Sequence, residues 1–524
     1  MFMKAGFLGV SEGRFLPVRG TWYAVSVSRS RRGAGRGAPH ESVSMNVAGL
    51  AKGAAGAQSP TKSPTLALAD FATSLRGEDL PARVVDALGD LFLDYLRVAS
   101  IGADMAWSGW ARDYLAALGR HGAAPVLFDK TGCDPVGAAF LNATYAGSID
   151  ADDTHVGSML HPGSIVFSAA LAVCDRARGA DFLAAVAAGY EAMIRIGLSI
   201  QPTHFRRGFQ STATCGGFGA AVAASRLLFG GQAQANAEAG RRIAESIGMV
   251  ASFSGGLTQF YQSGSTVKRI HAARAAENGV AAALLVAKGF SGPTDILEGA
   301  NGFARAYADA FDPGIITGAL GSDYLLDGVT VKGHACSARV QAAVEGVVAL
   351  CRAHGVASEA IEELYVGIPS VILGRLTIPR PVDVQAAQMS LPHSVALAAF
   401  LASKADDGFA LSVRDYEDSI ANATVKAIEQ RVTCEVDPEV EKATTAESVP
   451  ARIVVKLKSG ATHTVFVSAS KGSPSNPFTR ADHAARFRRE LERRWPAARC
   501  DEIVDLSRRL VALPDMMQVA ALLA

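Results

Sequence analysis

Residues 181–200, with the sequence DFLAAVAAGYEAMIRIGLSI, decide the fold of the first half of this chain. Their apolar side chains recur every three or four residues, the spacing that places them on one face of an α-helix. Alanine-rich segments of similar periodicity lie on both sides of this stretch, at 66–75, 81–101, 107–118, 135–146, 163–178, 217–228, 232–247 and 271–288. Because almost no strand-like alternation occurs between Thr65 and Ala310, this half is predicted to be all-α.

The pattern changes after about residue 328. The later segments that are rich in β-branched, partly alternating residues, as strands usually are, lie at 361–368, 431–440, 451–458 and 462–468. Ser459 and Gly460, between the last two segments, predict a hairpin turn. Helical periodicity then returns at 481–495 and 501–510.

These changes predict a mainly α fold with two folded domains. A large all-α helical domain comprises residues 63–328 and 470–524. A smaller α+β lid domain, residues 329–469, is inserted into it, because the last helices are expected to rejoin the first domain.

Residues 1–62 differ from the rest of the chain in composition. The segment contains nine Lys or Arg residues but only two acidic residues, Glu12 and Glu41, and it is rich in Gly, Ala and Ser. The segment lacks the apolar periodicity needed to join a core and is predicted to be a disordered basic extension. Two interpretations stay open: an organellar targeting peptide, or a start extended beyond the natural one, since Met45 lies just before the helical pattern.

Charge and composition exclude several classes of partner. The 51 basic and 50 acidic residues give a formal net charge of +1, so no nucleic-acid partner is predicted. No uninterrupted apolar run reaches the roughly 18 to 20 residues of a membrane span, so no membrane partner is predicted. The seven cysteines are scattered without a C-x-x-C pair, which argues against disulfides, zinc ribbons and iron–sulfur clusters and favours the cytoplasm.

The densest polar cluster is Asp150-Ala151-Asp152-Asp153-Thr154-His155, followed by His161-Pro162-Gly163 before an apolar helix. Crowding three carboxylates beside imidazole raises their pKa values, which is typical of a functional site. A solvated loop with a helix-capping Asp is the structural alternative. A divalent metal site is a second alternative, but the two histidines are six residues apart rather than the four of a helical ligand pair.

Two further patches carry candidate binding groups. Residues 206–214, RRGFQSTAT, are followed by several glycines and a predicted helix. The N-terminus of that helix is able to present backbone N–H groups to an anion. Close packing between helices is an alternative explanation of the glycines. Residues 252–271 form a Gly- and Ser-rich loop that delivers Lys268 just before a helix, while Lys332 lies where the composition changes between domains. Either lysine suits a substrate carboxylate.

Together these patches resemble one family. The first motif, DADDTH followed by HPG, is similar to that of the MmgE/PrpD family, which includes 2-methylcitrate dehydratase, cis-aconitate decarboxylase and iminodisuccinate epimerase. The other matching segments, in chain order, are RGFQSTATCGGFGAA, GSTVKRIHAARAAENG, KGFSGPTDILEG, VKGHACS, MSLPHSVALA and GSPSNPFT. The resemblance runs from about Leu66 to Leu510 and leaves the N-terminal extension uncovered.

The resemblance implies an active site between a helical domain and an α+β lid in a homodimer, without metal or organic cofactor. Asp150, Thr154 and His161 match the acidic, hydroxyl and histidine positions of the family's first motif. Lys268 and Lys332 match its two lysines. These five residues are the predicted catalytic set.

Two positions depart from the family's pattern. Gln210 stands where many members have histidine, and His393 stands where many have tyrosine. Gln210, His393, His155 and Arg207 are predicted to bind substrate. Because glutamine cannot exchange a proton as imidazole does, these departures leave the exact reaction open.

The chemistry implied is proton transfer at a carbon next to a carboxylate. Negative charge builds on an existing carboxylate in such a step, so fixed cations are needed, a role that suits Lys268 and Lys332. His161 is predicted to be the general base or acid because an imidazole pKa of about 6.5 lies near working pH. Asp150 is expected to fix its tautomer or hold a substrate hydroxyl, and Thr154 to donate a hydrogen bond.

Three hypotheses follow. The first is a cofactor-independent lyase, most simply a dehydratase acting on a hydroxy-polycarboxylate such as 2-methylcitrate. The second is a decarboxylase of the cis-aconitate type or an epimerase acting on a related polycarboxylate. The third is a non-catalytic descendant that binds small acids or a partner. The presence of Asp150, His161, Lys268 and Lys332 in one chain favours an enzyme.

Overall fold

The structure is a computed structural model that describes residues 63–230, 237–404 and 409–524, together with two short strands at 15–18 and 21–24. Apart from these two strands, the predicted disordered extension at 1–62 lies outside the described residues. Most of the described chain is helical, and its α-helices, in order, are α1 Pro64–Ser74, α2 Ala82–Ala103, α3 Ala106–Ala117, α4 Pro135–Gly147, α5 Gly163–Ala172, α6 Gly179–Ser199, α7 Thr203–Arg206, α8 Ser211–Phe229, α9 Ala237–Ala251, α10 Phe260–Ser263, α11 His271–Ala287, α12 Phe303–Tyr307, α13 Pro313–Thr317, α14 Gln341–Ala353, α15 Val384–Gln388, α16 Leu391–Leu401, α17 Val413–Ser419, α18 Ala423–Glu429, α19 Pro438–Ala443, α20 Arg480–Leu491, α21 Ala497–Arg508 and α22 Met517–Leu523.

The strands are few and short. They are β1 Phe15–Val18, β2 Thr21–Ala24, β3 Ala124–Val126, β4 Asp129–Cys133, β5 Thr154–His155, β6 Val329–Thr330, β7 Ile361–Ile368, β8 Val432–Val436, β9 Ala451–Leu457 and β10 Thr462–Val467. Four of them form a sheet in the order β10-β9-β7-β8, in which only the β7–β8 pair is parallel. The remaining strands form three two-stranded antiparallel pairs.

Most predicted elements are confirmed, including β7 at its predicted bounds and the β9–β10 hairpin. Gly460 in that turn has φ of +88°, a conformation that glycine adopts without steric cost. The expectation of an all-α first half is wrong at β5, which pairs with β6, and at β3 and β4, which form a hairpin at 124–133. Its second strand, DKTGC, contains almost no apolar residues, so no alternating pattern marks it in the sequence.

The described residues contain two hydrophobic cores. The first is built from the helices between α1 and α11 and from the C-terminal helices, with Phe487 of α20 and Ile503 of α21 buried in it. The second lies within residues 336–455 and includes Leu364 and Ile453 of the sheet. The C-terminal helices α20 and α21 pack against α2 of the body. That the α+β part acts as a lid, and that the chain forms a homodimer, stay predictions.

Small residues allow the central helices of the body to pack closely. A Cβ atom added to Gly279 of α11 would lie 2.3 Å from the Ala220 Cβ of α8, and one added to Gly216 would lie 2.3 Å from Ile165 Cδ1. Such separations are far below van der Waals contact. Close packing therefore explains these glycines.

Helix α6 is, by length and composition, apolar enough to cross a membrane, but 94% of the relevant window is buried inside the protein. It carries a fully buried ion pair, with Arg195 Nε 2.9 Å from Glu191 Oε2. Arg195 also donates to the carbonyl oxygens of Gly318 and Asp323, and Glu191 accepts from the Leu326 N–H. The polar groups of this helix thus fix the segment that precedes β6.

Candidate active site

The first motif follows α4 and is held in place by a short strand pair. Thr154 of β5 pairs with Thr330 of β6, and β6 ends two residues before Lys332. This pairing connects two segments that are far apart in the chain. It brings Lys332 to the loop that carries Asp150.

Asp150 is the centre of a buried charge cluster. Its Oδ1 atom lies 2.8 Å from Lys268 Nζ and 2.9 Å from Lys332 Nζ, and Lys332 also donates to the Asp150 carbonyl oxygen. Burial alone would raise the pKa of the Asp150 carboxyl, but the two ammonium groups outweigh it and hold that pKa below its ordinary value. Asp150 is therefore ionised.

The second oxygen of this carboxylate, Asp150 Oδ2, is buried and has no hydrogen-bond partner among the described residues. Buried polar atoms almost always have partners in native proteins, so an exception needs an explanation. Asp150 lines a small cavity. A substrate donor in that cavity would satisfy the atom.

Asp150 itself has φ of +57°. This left-handed conformation is uncommon outside glycine, and aspartate is among the few residues that adopt it readily. Backbone strain of this kind often occurs at functional sites.

The two lysines occupy different positions. Lys268 is delivered by the 3₁₀ turn Thr266–Ile270 and lines the cavity. Lys332 is fully buried behind Asp150, also lies 3.8 Å from Asp152 Oδ1, and is not part of the cavity wall. Burial lowers the pKa of Lys268, whereas the carboxylates of Asp150 and Asp152 overcome burial and raise the pKa of Lys332. Lys268 is the cation that can reach a ligand.

His161 has one bonded and one available ring nitrogen. Its Nδ1 lies 3.1 Å from the Asp153 carbonyl oxygen and 3.0 Å from Thr154 Oγ1. A carbonyl oxygen only accepts, so Nδ1 carries the proton and Nε2 carries the lone pair. In the described part of the chain Nε2 makes no hydrogen bond, and His161 lines the cavity. Burial lowers the pKa of His161 to about 4, so the imidazole is neutral at pH 7.

Asp152, rather than Asp150, is the carboxylate beside His161. Its Oδ1 atom lies 3.4 Å from His161 Nδ1. The expectation that Asp150 fixes the tautomer is therefore corrected: Asp150 is taken up by the two lysines, and the Asp153 carbonyl and Asp152 carboxylate orient the ring.

Asp153 has a structural role. Its Oδ1 accepts from the Gly163 N–H at the start of α5, and its Oδ2 accepts from the Tyr190 hydroxyl, both at 2.8 Å. Burial raises the pKa of Asp153 to about 7. The capping interpretation of the first motif thus holds for this one residue.

The cavity has a volume of about 50 Å³. Besides Asp150, Thr154, His161, Gln210 and Lys268, its wall contains residues that the sequence patterns did not single out. These are Met159, Phe205, Ser211, Tyr261, Ser337, Ala338, Arg339 and Met389. Arg339 follows Lys332 by seven residues. This closeness to a candidate lysine is the one sequence signal that could have identified Arg339 as a site residue.

Two family models match the chain in succession. The MmgE/PrpD N-terminal domain matches residues 66–316, and the MmgE/PrpD C-terminal domain matches residues 334–510. The chain belongs to the MmgE/PrpD family. Residues 1–65 lie outside both matches.

Curated relatives of this MmgE/PrpD chain include a cis-aconitate decarboxylase-like protein of Aspergillus oryzae, 27% identical over 56% of the chain and 62% of that protein. The alignment thus spans less than two thirds of this relative's length. The cis-aconitate decarboxylase of Aspergillus terreus is 26% identical over 64% of the chain and 71% of its own length. The human cis-aconitate decarboxylase is 24% identical over 86% of the chain and 93% of its own length.

Gln210, at the first of the two departures from the MmgE/PrpD pattern, lines the cavity. It is the N-cap of α8, and its Oε1 atom accepts from the Ala213 N–H at 2.7 Å. Its backbone N–H donates to Gly256. The side chain therefore holds the helix start in place and presents an amide, not an imidazole, to the cavity.

His393, at the second departure, is not brought to this cavity. It lies on α16, where Nδ1 is 3.1 Å from Glu429 Oε2 and Nε2 is 2.8 Å from Ser419 Oγ. It borders a different cavity of about 860 Å³ within the α+β part. Both of its ring nitrogens contact neighbours in the α+β part, so its contact with substrate stays a prediction that this geometry does not support.

His155 and Arg207 also lie away from the cavity wall. The buried His155 places Nδ1 2.8 Å from Ser158 Oγ, and its Nε2 faces Gly328. The exposed Arg207 lies 3.5 Å from Asp309 and over the ring of Phe209. Neither residue lines the cavity, so their substrate-binding roles also stay predictions that this geometry does not support.

Asp150, Asp152 and His161 offer ligand atoms that lie within 4.8 Å of one another, a spacing that a metal ion would accept. The surrounding charges do not favour one. Two ammonium groups already contact Asp150 Oδ1, and like charges at such short range repel strongly in a buried site. The residues present thus fit a lysine-clamped carboxylate better than a metal centre.

Proposed function

We propose that this chain is a cofactor-independent lyase that acts on a small polycarboxylate, with dehydration of a 2-methylcitrate-like hydroxy acid as its first candidate reaction. One observation carries the proposal. A neutral His161 and Asp150, whose buried Oδ2 has no donor among the described residues, line the same cavity. A substrate with an acidic C–H bond and a neighbouring hydroxyl group complements both.

His161 accepts the proton from the carbon next to a carboxylate. The electrons of the C–H bond form the new double bond, and the bond from the adjacent carbon to the hydroxyl oxygen breaks. The proton held on Nε2 passes to the departing oxygen, so water leaves and the imidazole returns to its neutral form. A positioned imidazole contributes about 10² to 10⁴ in rate to such a transfer.

Lys268 stabilises the negative charge that develops on the substrate carboxylate. It is a fixed cation in a site that excludes most water, where electrostatic interactions are stronger than in bulk. Lys332 acts through Asp150, since it contacts that carboxylate and does not reach the cavity. Asp150 Oδ2 accepts the hydrogen bond of the substrate hydroxyl.

Decarboxylation of a cis-aconitate-like tricarboxylate is the second candidate, favoured by the names of the curated relatives. In that reaction the bond to one carboxylate breaks and carbon dioxide leaves. The electron pair moves through the double bond to the carbon beside another carboxylate, which takes a proton from His161. A bound polyanion would raise the pKa of His161 and supply the protonated form that this reaction needs.

The two reactions are separated by one experiment. The purified chain is incubated with 2-methylcitrate, citrate and cis-aconitate in deuterated buffer, and the products are followed by NMR and by carbon dioxide release. Dehydration predicts new alkene signals without carbon dioxide, and decarboxylation predicts carbon dioxide with deuterium in the product. His161→Ala is the negative control. His121→Ala, which changes an exposed histidine, is the matched control variant. No turnover of any polycarboxylate would contradict the proposal.

A further inference from the structure

Arg339 is a half-buried cation on the cavity wall that has no carboxylate partner among the described residues. Its one hydrogen bond there runs from Nη2 to the Val156 carbonyl oxygen at 2.8 Å. By contrast, Lys268 and Lys332 are each paired with a carboxylate. A charge taken out of water without a counterion is costly, so this arrangement is suited to an anion that arrives with the ligand.

The cavity is too small for the whole substrate. Its volume of about 50 Å³ has room for only a few waters. A second cavity of about 290 Å³ adjoins it, because Phe205 and Tyr261 line both. A polycarboxylate with its reacting carbon at His161 must therefore extend past these two aromatic rings.

The second cavity carries another arginine. Arg375 lies with its guanidinium carbon 4.6 Å from the Phe205 ring centroid, and its guanidinium makes no ion pair with the described residues. Arg339 lines the first cavity and Arg375 the second, and the two cavities share the rings of Phe205 and Tyr261, so the two cations lie on neighbouring walls. Burial lowers the pKa of Arg339, and the guanidinium of Arg375 adds to this effect. Two neighbouring cations repel, and an anion bound at them removes that repulsion.

We propose that Arg339 and Arg375 form a second carboxylate subsite, which binds the substrate carboxylate farthest from His161 and selects tricarboxylates over dicarboxylates. This inference rests on the proposed function. The planar guanidinium of arginine matches the two oxygens of a carboxylate, and such charge-assisted pairs are among the strongest hydrogen bonds in proteins. The subsite and the Lys268 end of the cavity together require a substrate with separated carboxylates.

The first test measures binding without turnover. Tricarballylate, a tricarboxylate with neither a hydroxyl group nor a double bond, and 2-methylsuccinate, which is tricarballylate without one terminal carboxyl group, are titrated into the full chain by calorimetry. The wild-type chain should bind tricarballylate at least tenfold more tightly. Arg339→Gln and Arg375→Gln should each remove most of this preference, since a hydrogen bond to a charged group contributes about 1.5 to 3 kcal/mol, or roughly 10- to 100-fold. Arg305→Gln, at an exposed arginine of α12, should leave it unchanged.

The second test separates binding from chemistry. On whichever tricarboxylate turns over, Arg339→Gln should raise KM by about tenfold or more while kcat changes less than about threefold, because the subsite binds ground state and transition state alike. Arg339→Lys keeps the charge and should recover part of the loss. Thermal unfolding checks that each variant is folded. If Arg339→Gln does not fold because Val156 loses its donor, Arg375→Gln and Arg339→Lys decide the question.

The outcomes distinguish the two proposals. Unchanged selectivity in folded Arg339→Gln and Arg375→Gln, with turnover intact, would overturn the subsite and leave the lyase function standing. Equal binding of tricarballylate and 2-methylsuccinate by a wild-type chain that turns over polycarboxylates would also overturn the subsite and leave the lyase function standing. If the wild-type chain neither binds nor turns over any polycarboxylate, the subsite and the proposed function are both wrong.

Discussion

His161, whose side chain is 15% exposed, and His393, which is fully buried, are both hydrogen-bonded and both near carboxylates, yet they are equipped for different tasks. His161 precedes α5 and lines a cavity; among the described residues only its Nδ1 is hydrogen-bonded, which leaves Nε2 available. His393 lies in the α+β core and uses both nitrogens, on Glu429 and Ser419. The polar cluster of the first motif and the resemblance both marked His161 as a site residue, whereas the resemblance alone marked His393.

The difference shows what makes a buried histidine available for proton transfer. An imidazole whose two nitrogens are both occupied holds its neighbours together and has no lone pair to offer. An imidazole with one oriented nitrogen and one free nitrogen is poised to exchange a proton. The predictions below test this contrast, beginning with the largest expected effect.

The largest effect is expected for His161→Ala. Loss of the proton-transfer group should lower kcat by about 10² to 10⁴ with little change in KM. Steady-state kinetics on the substrate that turns over measures it, with circular dichroism as the folding control. A variant with near-normal kcat, alongside an inactive His393→Ala, would reverse the assignment of the two histidines.

Lys268→Ala should have the next largest effect. Lys268 is the lysine that faces the cavity, so its loss should weaken substrate binding and slow the reaction, reducing kcat/KM by about 10- to 100-fold. Asp150 keeps Lys332 as a partner, so the chain should still fold. Lys130→Ala, at an exposed lysine of β4, is the matched control. An unchanged KM with a reduced kcat would mean that Lys268 contacts the substrate only in the transition state.

The pH profile tests the protonation state of His161. Burial lowers the pKa of His161 to about 4, so the base is protonated, and inactive as a base, only below that pH. The acid limb of log kcat/KM should therefore fall near pH 4 rather than near 6.5, after allowance for ionisation of the substrate itself. The wild-type acid limb would contradict this prediction if it lay near pH 6.5 and were absent from an otherwise active His161→Gln variant. That result would show that the limb reports His161 and that its imidazole is well solvated.

His393→Ala should affect stability more than activity. It leaves Glu429, a buried side chain, without its imidazole donor, which typically costs about 1 to 3 kcal/mol. Urea denaturation should detect this loss, while kcat and KM should stay within about twofold of the wild-type values. A large fall in kcat in a folded variant would show that the α+β part brings His393 to the substrate.

The smallest effect is expected from chelation. Asp150 is already clamped by two ammonium groups, so exhaustive treatment with EDTA should leave activity unchanged. Metal analysis of the same sample provides the control. Stoichiometric metal that is lost together with activity would show that Asp150, Asp152 and His161 bind an ion after all.

The sequence by itself determined the local structure and much of the chemistry. The three- and four-residue periodicity identified the body helices, and β-branched alternation identified β7, β9 and β10, because both patterns report which face of an element is buried. The family's motifs brought His161, Lys268 and Lys332 forward as site residues. The polar β3–β4 hairpin was not predicted, because no periodic apolar pattern marks it in the sequence.

Only the tertiary structure decided how these residues divide the work. Lys332 meets Asp150 across 182 positions in the chain through the β5–β6 pairing, a distance over which no sequence pattern is readable. The same packing puts Asp152 beside His161 and sends His393 to another core. It also leaves Arg339, at the cavity, without a carboxylate partner in the part of the chain that the structure describes. Which atoms touch depends on how separate elements pack, and that is fixed by the whole core rather than by any local run of residues.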